Sequence, residues 1–293
     1  MAEQIHESLA REIAQTGVAM LTGSVDTGKT TLGLLAARMA LAEGRTVAYV
    51  DADVGNTTIG PPACVGLRVL DDLDDLDRIS EPDQLHFVGT INPTRLVLQQ
   101  VVATAAMTDR ARMMADLVII DTTAVVSGVA GETLKYHKAE LCRPDMVVAL
   151  QRGGEMEPVV GMLRRFLDVA VSVAPSDPNV MPVSPDERAA RRTEAFKKAL
   201  IPPLERWKVR PTVFAPTLPV GLNLSRLDNV LVGVQDPGGG CLGLGLLIHD
   251  DDGLRVMTNV GEGMRGLRLG SMRLDPETYE TTLLSLREVM FGV

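Results

Sequence analysis

A glycine-containing loop near the start of the chain carries residues suited to phosphate chemistry. Residues 23–30 read Gly-Ser-Val-Asp-Thr-Gly-Lys-Thr and satisfy the pattern G-x-x-x-x-G-K-S/T. In this pattern backbone N–H groups surround phosphate oxygens, the lysine holds the β- and γ-phosphates, and the hydroxyl ligates Mg²⁺. We expect Lys29 to act on the phosphates and Thr30 on the metal. The predicted nucleotide-binding residues are Gly23, Ser24, Val25, Asp26, Thr27, Gly28, Lys29, Thr30 and Thr31.

Two carboxylates follow apolar runs of the sequence. Asp53 stands two residues after the run 46–51, and Asp121 closes the run 117–120. Carboxylates at the carboxyl ends of parallel strands lie in the crevice where ligands bind. Asp121 has the position of the acidic residue that contacts Mg²⁺ directly or through water. We expect Asp53 to reach the same metal or a hydroxyl group of the phosphate acceptor.

The residues after the apolar run 146–150 bear on the choice of nucleotide. A guanine-specific site would carry an Asn/Thr-Lys-x-Asp signature at this point. The chain has Gln151-Arg152-Gly153-Gly154-Glu155 instead. The sequence therefore favours ATP, with Mg²⁺, as the bound nucleotide.

An alternation of strands and helices must position these groups. Short apolar runs predict strands at 17–22, 46–51, 85–88, 117–121, 146–150 and 169–173. Helical patterns stand before, between and after them, at 4–15, 30–44, 94–115, 131–141, 155–167 and 185–200. This order is typical of a doubly wound α/β domain with a mostly parallel sheet.

The pattern changes near residue 205, where several prolines interrupt it. Beyond that point short β-like runs at 229–234, 244–248 and 254–257 alternate with glycine-rich turns. We predict a P-loop domain over residues 1–204 and a small β-rich domain over residues 205–293. The last stretch, 276–291, has the pattern of a closing helix.

Composition narrows the class of protein. The 293 residues are 45% hydrophobic, and their three cysteines form no C-x-x-C pair, so we expect a folded protein of the reducing cytoplasm. Residues 1–7 are polar and acidic, unlike a signal peptide, and no apolar stretch is long enough to span a membrane.

The formal net charge of -9 argues against a broad coat of nucleic acid. The charge is unevenly distributed, however, since residues 185–210 hold eight basic and four acidic residues. This basic segment is compatible with a short anionic end bound at one place.

The motifs together resemble those of the polynucleotide 5′-hydroxyl kinase family, which includes RNA kinases of pre-mRNA cleavage and ribosomal-RNA processing. The resemblance covers most of the chain. It rests on the loop 23–31, Asp-Ala-Asp-Val-Gly-Asn at 51–56, Ile-Gly-Pro-Pro at 59–62, Asp-Thr-Thr at 121–123, the segments 147–152 and 182–185, an Arg-x-x-x-Arg helix, and the runs 231–234 and 243–245.

This resemblance implies roles for particular residues. Asp53 matches the acidic residue that activates the 5′-hydroxyl group, while ATP and Mg²⁺ occupy the loop. Arg188 and Arg192 match the lid pair of the family. Four residues apart on a helix, they share one face and can both reach the transferred phosphoryl group.

The expected partner is the 5′ end of a nucleic acid, with RNA preferred to DNA. Residues 122–125 correspond to the clasp of the family, which commonly has Gly and Trp where this chain has Ala124 and Val125. The missing aromatic ring removes a surface on which a base could stack. RNA, DNA and a smaller acceptor therefore stay open at this stage.

Two other functions are compatible with the same loop. One is a P-loop NTPase of assembly or regulatory type, which uses ATP to change partners and transfers no phosphate. The other is a small-molecule kinase or ligase resembling dethiobiotin synthetase. The arginine helix and the predicted β-rich domain favour the polynucleotide kinase over the second of these.

Overall fold

The computed structural model describes residues 2–177, 179–218, 222–251 and 253–284. The first part of the chain contains six helices among these residues: α1 (Ala2–Ala14), α2 (Lys29–Ala42), α3 (Val97–Ala111), α4 (Gly128–Cys142), α5 (Glu157–Phe166) and α6 (Pro185–Ala199). Its strands are β1 (Val18–Gly23), β2 (Val47–Ala52), β3 (Cys64–Leu70), β4 (Gln84–Phe87), β5 (Leu117–Thr122), β6 (Met146–Gln151) and β7 (Ala170–Pro175).

These seven strands form one sheet in the order β4-β3-β2-β5-β1-β6-β7. The five strands from β2 to β7 in this order run parallel, so the predicted fold class is confirmed. We did not predict β3, which is antiparallel to both of its neighbours, because Gly66 and Arg68 interrupt its apolar run. In the parallel register Ala52 of β2 lies beside Thr122 of β5, which aligns the carboxyl ends of the two strands.

The sheet is covered on both faces because its central strands are apolar on both. On β1, Ala19 and Leu21 pack with α1 and α2 in one core cluster. Val18 and Met20 face the other way and pack with α3, α4 and α5. Parallel strands joined by helical crossovers are buried in this manner, which explains their continuous apolar runs.

A second sheet follows from residue 205 onward. Its strands are β8 (Glu205–Lys208), β9 (Val230–Gln235), β10 (Cys241–Asp250), β11 (Gly253–Thr258), β12 (Gly266–Leu274) and β13 (Thr281–Leu283). They pair antiparallel in the order β13-β12-β9-β10-β11-β8. The chain therefore has a C-terminal β-rich part, while the division at 204/205 into two domains stays a prediction.

The two sheets meet at Phe87, at the end of β4. A β-carbon on Gly233 of β9 would lie 2.4 Å from Cγ of this ring, so only glycine allows the contact. Phe196 and Leu200, at the end of α6, belong to the same core cluster. The helix that carries the two predicted lid arginines is thus anchored between the sheets.

The predicted closing helix at 276–291 is wrong over its described part. Residues 281–283 form β13, paired with the end of β12. Asp275 Oδ1 accepts hydrogen bonds from the N–H groups of Glu277 and Thr278, and this turn directs the chain into the strand. Residues 285–291 lie outside the described residues. Among those described, no helix is long and apolar enough to cross a membrane.

The contact between the sheets also predicts a pH dependence of stability. Nη1 of Arg268 on β12 donates a hydrogen bond to Nε2 of His86 on β4, at 2.7 Å. Burial, together with the positive charges of Arg268 and Arg110, lowers the pKa of His86 to about 4 from 6.5. As the pH falls through this interval the unfolded chain takes up the proton first, so the contribution of neutral His86 to stability is progressively lost.

We therefore expect the melting temperature of the wild type to fall more steeply between about pH 7 and pH 4.5 than that of His86→Gln. Thermal unfolding followed by circular dichroism measures both curves. His249→Gln, at an exposed histidine, is the surface control and should follow the wild type. Parallel curves for wild type and His86→Gln would show that His86 does not carry this dependence.

Candidate active site

A cleft of about 340 Å³ lies at the carboxyl edge of the first sheet, between the loop 23–30 and α6. It collects charged groups that are far apart in sequence: Asp26, Lys29, Asp53, Asp121, Arg188, Arg191 and Arg192. Of the predicted loop residues, Val25 to Thr31 line the cleft, whereas Gly23 and Ser24 do not. The side chains with a predicted catalytic or metal-binding role lie together in this cleft: Lys29, Thr30, Asp53, Asp121, Arg188 and Arg192.

The loop wraps around the ammonium group of Lys29. Nζ donates to the carbonyl oxygens of Gly23 and Ser24, each at 2.9 Å. Burial lowers the pKa of Lys29, while the nearby carboxylates of Asp121, Asp53 and Asp26 oppose this shift. Gly28, with φ of 91°, lets the chain turn from the loop into α2, whose first residues Lys29, Thr30 and Thr31 line the cleft.

Two residues for which the sequence predicted no role, Arg152 and Glu155, form hydrogen bonds with the loop. Arg152 donates from Nη1 to the carbonyl oxygen of Val25 at 2.8 Å and from Nη2 to that of Asp26. Glu155 accepts from the Ser24 hydroxyl at 2.9 Å. Burial acts to raise the pKa of Glu155, but hydrogen bonds, chiefly from backbone N–H groups, outweigh it and lower that pKa to about 2. The carboxylate is therefore ionised at neutral pH.

Thr30 and Asp121 meet below the loop. The Thr30 hydroxyl donates to Oδ2 of Asp121 at 2.5 Å, and the Tyr49 hydroxyl lies 3.3 Å from the same oxygen. Burial raises the pKa of Asp121, although Lys29 and the Thr30 hydroxyl favour its charged form. A hydroxyl and a carboxylate in contact are the oxygen ligands that Mg²⁺ uses beside nucleotide phosphates.

Two carboxylates at the end of β2 lie at different depths: Asp51 is within the strand and Asp53 directly follows it. Asp53 lines the cleft, and its Oδ1 accepts from the N–H groups of Gly55 and Asn56 at 3.0 and 3.1 Å. Asp51 is 1% exposed and accepts from the N–H groups of residues 53, 58 and 59. Burial, with the negative charge of Asp121 nearby, raises the pKa of Asp51 to about 8. Asp51 therefore shapes the loop, and Asp53 is the carboxylate exposed to a ligand.

The arginine helix lies across the opening of the cleft. Nη2 of Arg188 forms a 2.6 Å ion pair with Oδ2 of Asp26 in the loop. Nη1 of Arg192, one turn further along, lies 3.5 Å from Oδ1 of Asn56. Ser184 caps the helix by accepting from the N–H of Glu187. Both arginines line the cleft from the shared helix face that their spacing predicted.

The part of the chain that forms this cleft matches a known protein family. The family model for the P-loop of the mRNA cleavage and polyadenylation factor CLP1 matches residues 23–199, more than half of the chain. The chain belongs to this CLP1 P-loop family. The matched span begins at the first glycine of the loop and ends with the arginine helix. The resemblance inferred from the motifs is therefore confirmed.

Related proteins extend the comparison beyond the matched span. A polyribonucleotide 5′-hydroxyl-kinase of Pyrococcus horikoshii is 29% identical, over 92% of this chain and 89% of its own length. The enzyme of that name from Methanocaldococcus jannaschii is 28% identical, over 90% and 89%. Rat Clp1, also named as such a kinase, is 26% identical over 78% of this chain and 59% of its own.

A solved structure supports the fold of this CLP1 family member. Clp1p in the wild-type Clp1p–Pcf11p (454–563) complex superposes with a TM-score of 0.69 at 14% identity, covering 93% of this chain and 78% of that one. At this level of identity the likeness concerns the fold alone. The superposition covers 93% of the chain, whereas the P-loop family model matches only residues 23–199. The likeness in fold therefore extends into the β-rich C-terminal part.

Proposed function

We propose that the protein transfers the γ-phosphate of ATP to the 5′-hydroxyl group of a polynucleotide, with RNA preferred to DNA. One observation carries the proposal: a single cleft holds the phosphate loop, the carboxylate of Asp53 and two arginines on one helix face. The kinase names of the relatives support the same reaction class. The absence of a guanine signature after β6 supports ATP as the donor.

The loop and the oxygen ligands below it account for nucleotide binding. Backbone N–H groups of residues 23–31 and the ammonium group of Lys29 would hold the phosphates. Thr30 and Asp121 would hold Mg²⁺, with Asp53 within the same cleft, and their hydroxyl–carboxylate contact at 2.5 Å fits such a metal. When bound, Mg²⁺ neutralises the charge that develops on the phosphate oxygens.

Asp53 is the proposed general base. Its carboxylate accepts the proton of the 5′-hydroxyl as the oxygen–phosphorus bond forms, and the bond between the γ-phosphorus and the bridging oxygen of ADP breaks. The hydrogen bonds from Gly55 and Asn56 occupy Oδ1 and hold the group in one orientation. Oδ2 has no such backbone donor among the hydrogen bonds of the described residues and is the oxygen that would receive the proton.

Arg188 and Arg192 would stabilise the phosphoryl group during transfer. The ion pair with Asp26 keeps the guanidinium of Arg188 beside the loop before the nucleotide binds. Donors fixed in advance stabilise developing charge without the cost of reorganisation. Exposed bases of the acceptor would have no aromatic clasp residue to stack on, because positions 124 and 125 are alanine and valine.

Transfer of label tests this function directly. The protein is incubated with γ-labelled ATP, Mg²⁺ and matched RNA or DNA oligonucleotides that carry a free 5′-hydroxyl. We expect label at the 5′ end, faster on RNA than on DNA. Oligonucleotides already bearing a 5′-phosphate serve as the control and should take no label. Hydrolysis of ATP without transfer to either acceptor would favour the assembly-type NTPase instead.

The lid arginines give a separate prediction. Arg188→Ala should lower the rate of transfer by about 10²- to 10³-fold, because a charged donor to the transferred group is lost. Steady-state kinetics with the labelled oligonucleotide measure the effect. Lys198→Ala, at an exposed basic residue on the same helix, is the matched control and should keep the wild-type rate. Equal rates for wild type and Arg188→Ala would remove Arg188 from the mechanism.

A further inference from the structure

Two lysines lie in the interior of the protein, one helical turn apart on α4. Lys135 and Lys138 both have 0% of their surface exposed and rank among the largest fully buried side chains of the described residues. Burying an amino group among apolar side chains is costly unless its donors are satisfied. A methionine or leucine would fill the same contact between helix and sheet without that cost. The choice of lysine at both positions therefore calls for a role that an apolar side chain cannot fill.

The contacts of the two lysines indicate that role. Nζ of Lys135 donates to the Thr122 hydroxyl at 2.7 Å and to the carbonyl oxygen of Thr123. Nζ of Lys138 donates to the carbonyl oxygen of Ala52 at 3.1 Å. Ala52 and Thr122 are the last register partners of the neighbouring strands β2 and β5. One helix thus holds the ends of both strands.

These strand ends need such support. After Ala52 and Thr122 the two segments leave the sheet. Carbonyl groups at this edge therefore lack the regular hydrogen-bond partners that a neighbouring strand provides. The residues beside them are Asp53 and Asp121, which face the cleft. A shift of either strand end would therefore change the separation of the two carboxylates. Reacting groups misplaced by about 1 Å can cost a factor of about 10² in rate.

The hydrogen bonds do not depend on the charge of the lysines. Burial lowers the pKa of Lys135 well below its ordinary value and lowers that of Lys138 to about 8. An amine keeps N–H groups in either protonation state and can donate to the same carbonyl oxygens. The placement of these donors at the strand ends is therefore the same in either protonation state.

We propose that Lys135 and Lys138 are positioning residues for phosphoryl transfer, which fix the ends of β5 and β2 and thereby the relative placement of Asp121 and Asp53. The inference rests on the proposed kinase function. Neither lysine lines the cleft, so neither is expected to touch ATP or the acceptor. Removing either amino group should lower kcat, the rate with both substrates bound, and leave the affinity for the nucleotide nearly unchanged.

The test separates kcat from nucleotide binding. Lys135→Met and Lys138→Met keep an unbranched apolar stem and remove the donors. We expect each to lower kcat by about 10- to 100-fold. ATP affinity, measured calorimetrically with a non-hydrolysable analogue, should stay within about threefold of the wild type because the loop 23–30 is untouched. The fall in kcat of the double variant should be smaller than the product of the two single falls, because both lysines fix the same placement of Asp121 relative to Asp53.

Leu134→Ala is the matched control for loss of packing. Leu134 is 0% exposed on the same helix and carries no donor. Its truncation lowers stability through a cavity, but kcat should stay within about threefold at temperatures where the variant is folded. Circular dichroism establishes that range for every variant.

Thr122→Val supplies a second route if a methionine variant does not fold. It keeps the shape of the side chain and removes the hydroxyl, which accepts from Lys135 and donates to the carbonyl oxygen of Leu21 in β1. We again expect lower kcat with unchanged analogue affinity.

The outcomes separate the two proposals. Wild-type kcat in the folded lysine variants, or a kcat loss equal to that of Leu134→Ala, would overturn the positioning role while the kinase function stands. If the methionine variants are unfolded, wild-type kcat in Thr122→Val would overturn the positioning role of Lys135 at the end of β5. Wild-type protein that labels no oligonucleotide would overturn the kinase function itself, because that result involves no lysine variant.

Discussion

Lys29→Ala should lower phosphate transfer from ATP to a 5′-hydroxyl oligonucleotide by about 10³-fold. The loop encloses the ammonium group, whose Nζ donates to the carbonyl oxygens of Gly23 and Ser24. Its loss removes the donor for the β- and γ-phosphates, in the ground state and during transfer. Initial rates of 5′-labelling measure the loss, and calorimetry with an ATP analogue should show weaker binding as well.

The fold should tolerate this substitution. The hydrogen bonds of Lys29 are to carbonyl groups of its own loop. Arg152 and Glu155 form further hydrogen bonds with this loop, which the substitution leaves in place. We therefore expect nearly unchanged circular dichroism and a melting temperature close to that of the wild type. Lys198→Ala, an exposed lysine on α6, controls for the removal of a positive charge. A folded Lys29→Ala protein with wild-type labelling would mean that the loop does not bind the transferred phosphate.

Asp53→Asn should separate binding from chemistry. We expect transfer to fall by about 10²- to 10⁴-fold, the usual contribution of a general base. The amide oxygen can still accept from Gly55 and Asn56, so the loop after β2 should keep its shape. Affinity for the ATP analogue should change little. Labelling rates and calorimetry on the same preparation provide both numbers.

Magnesium dependence distinguishes the two roles open to Asp53. If its carboxylate mainly holds the metal, a higher Mg²⁺ concentration should restore much of the rate of Asp53→Asn. If it takes the proton of the 5′-hydroxyl, added Mg²⁺ should restore little. Asp109→Asn, at an exposed carboxylate on α3, is the surface control. Full activity of Asp53→Asn would show that the base assignment is wrong.

Local pattern was sufficient for much of the fold and for the phosphate loop. Strand, glycine loop and helix are adjacent in the chain at 18–42, so their residue types and spacing alone identify the motif. The aspartates could be placed from topology, because parallel strands end at one edge of a sheet. The helical spacing of Arg188 and Arg192 likewise predicted a shared face. The residue pattern within each element and the order of the elements along the chain were enough to predict these features.

Contacts between distant residues decided the rest. β3 pairs antiparallel with β2, which its interrupted apolar run did not indicate, and a turn at Asp275 directs residues 281–283 into a strand where a helix was predicted. The ion pair of Asp26 with Arg188 joins residues 162 positions apart. The sequence assigned both residues to the site, but no local pattern predicts that they pair with each other, because the pair forms only when α6 packs beside the loop.

The buried lysines show the same division most clearly. In the sequence, Lys135 and Lys138 are two ordinary polar residues of a predicted helix. Only packing of α4 against the sheet buries them and places Lys138 at Ala52, 86 residues away. The sequence by itself predicted which groups could bind phosphate and which carboxylate could act as the base. The tertiary structure decided which donors hold those groups in place, because an orphaned carbonyl at a strand end is satisfied by whatever side chain the fold brings to it.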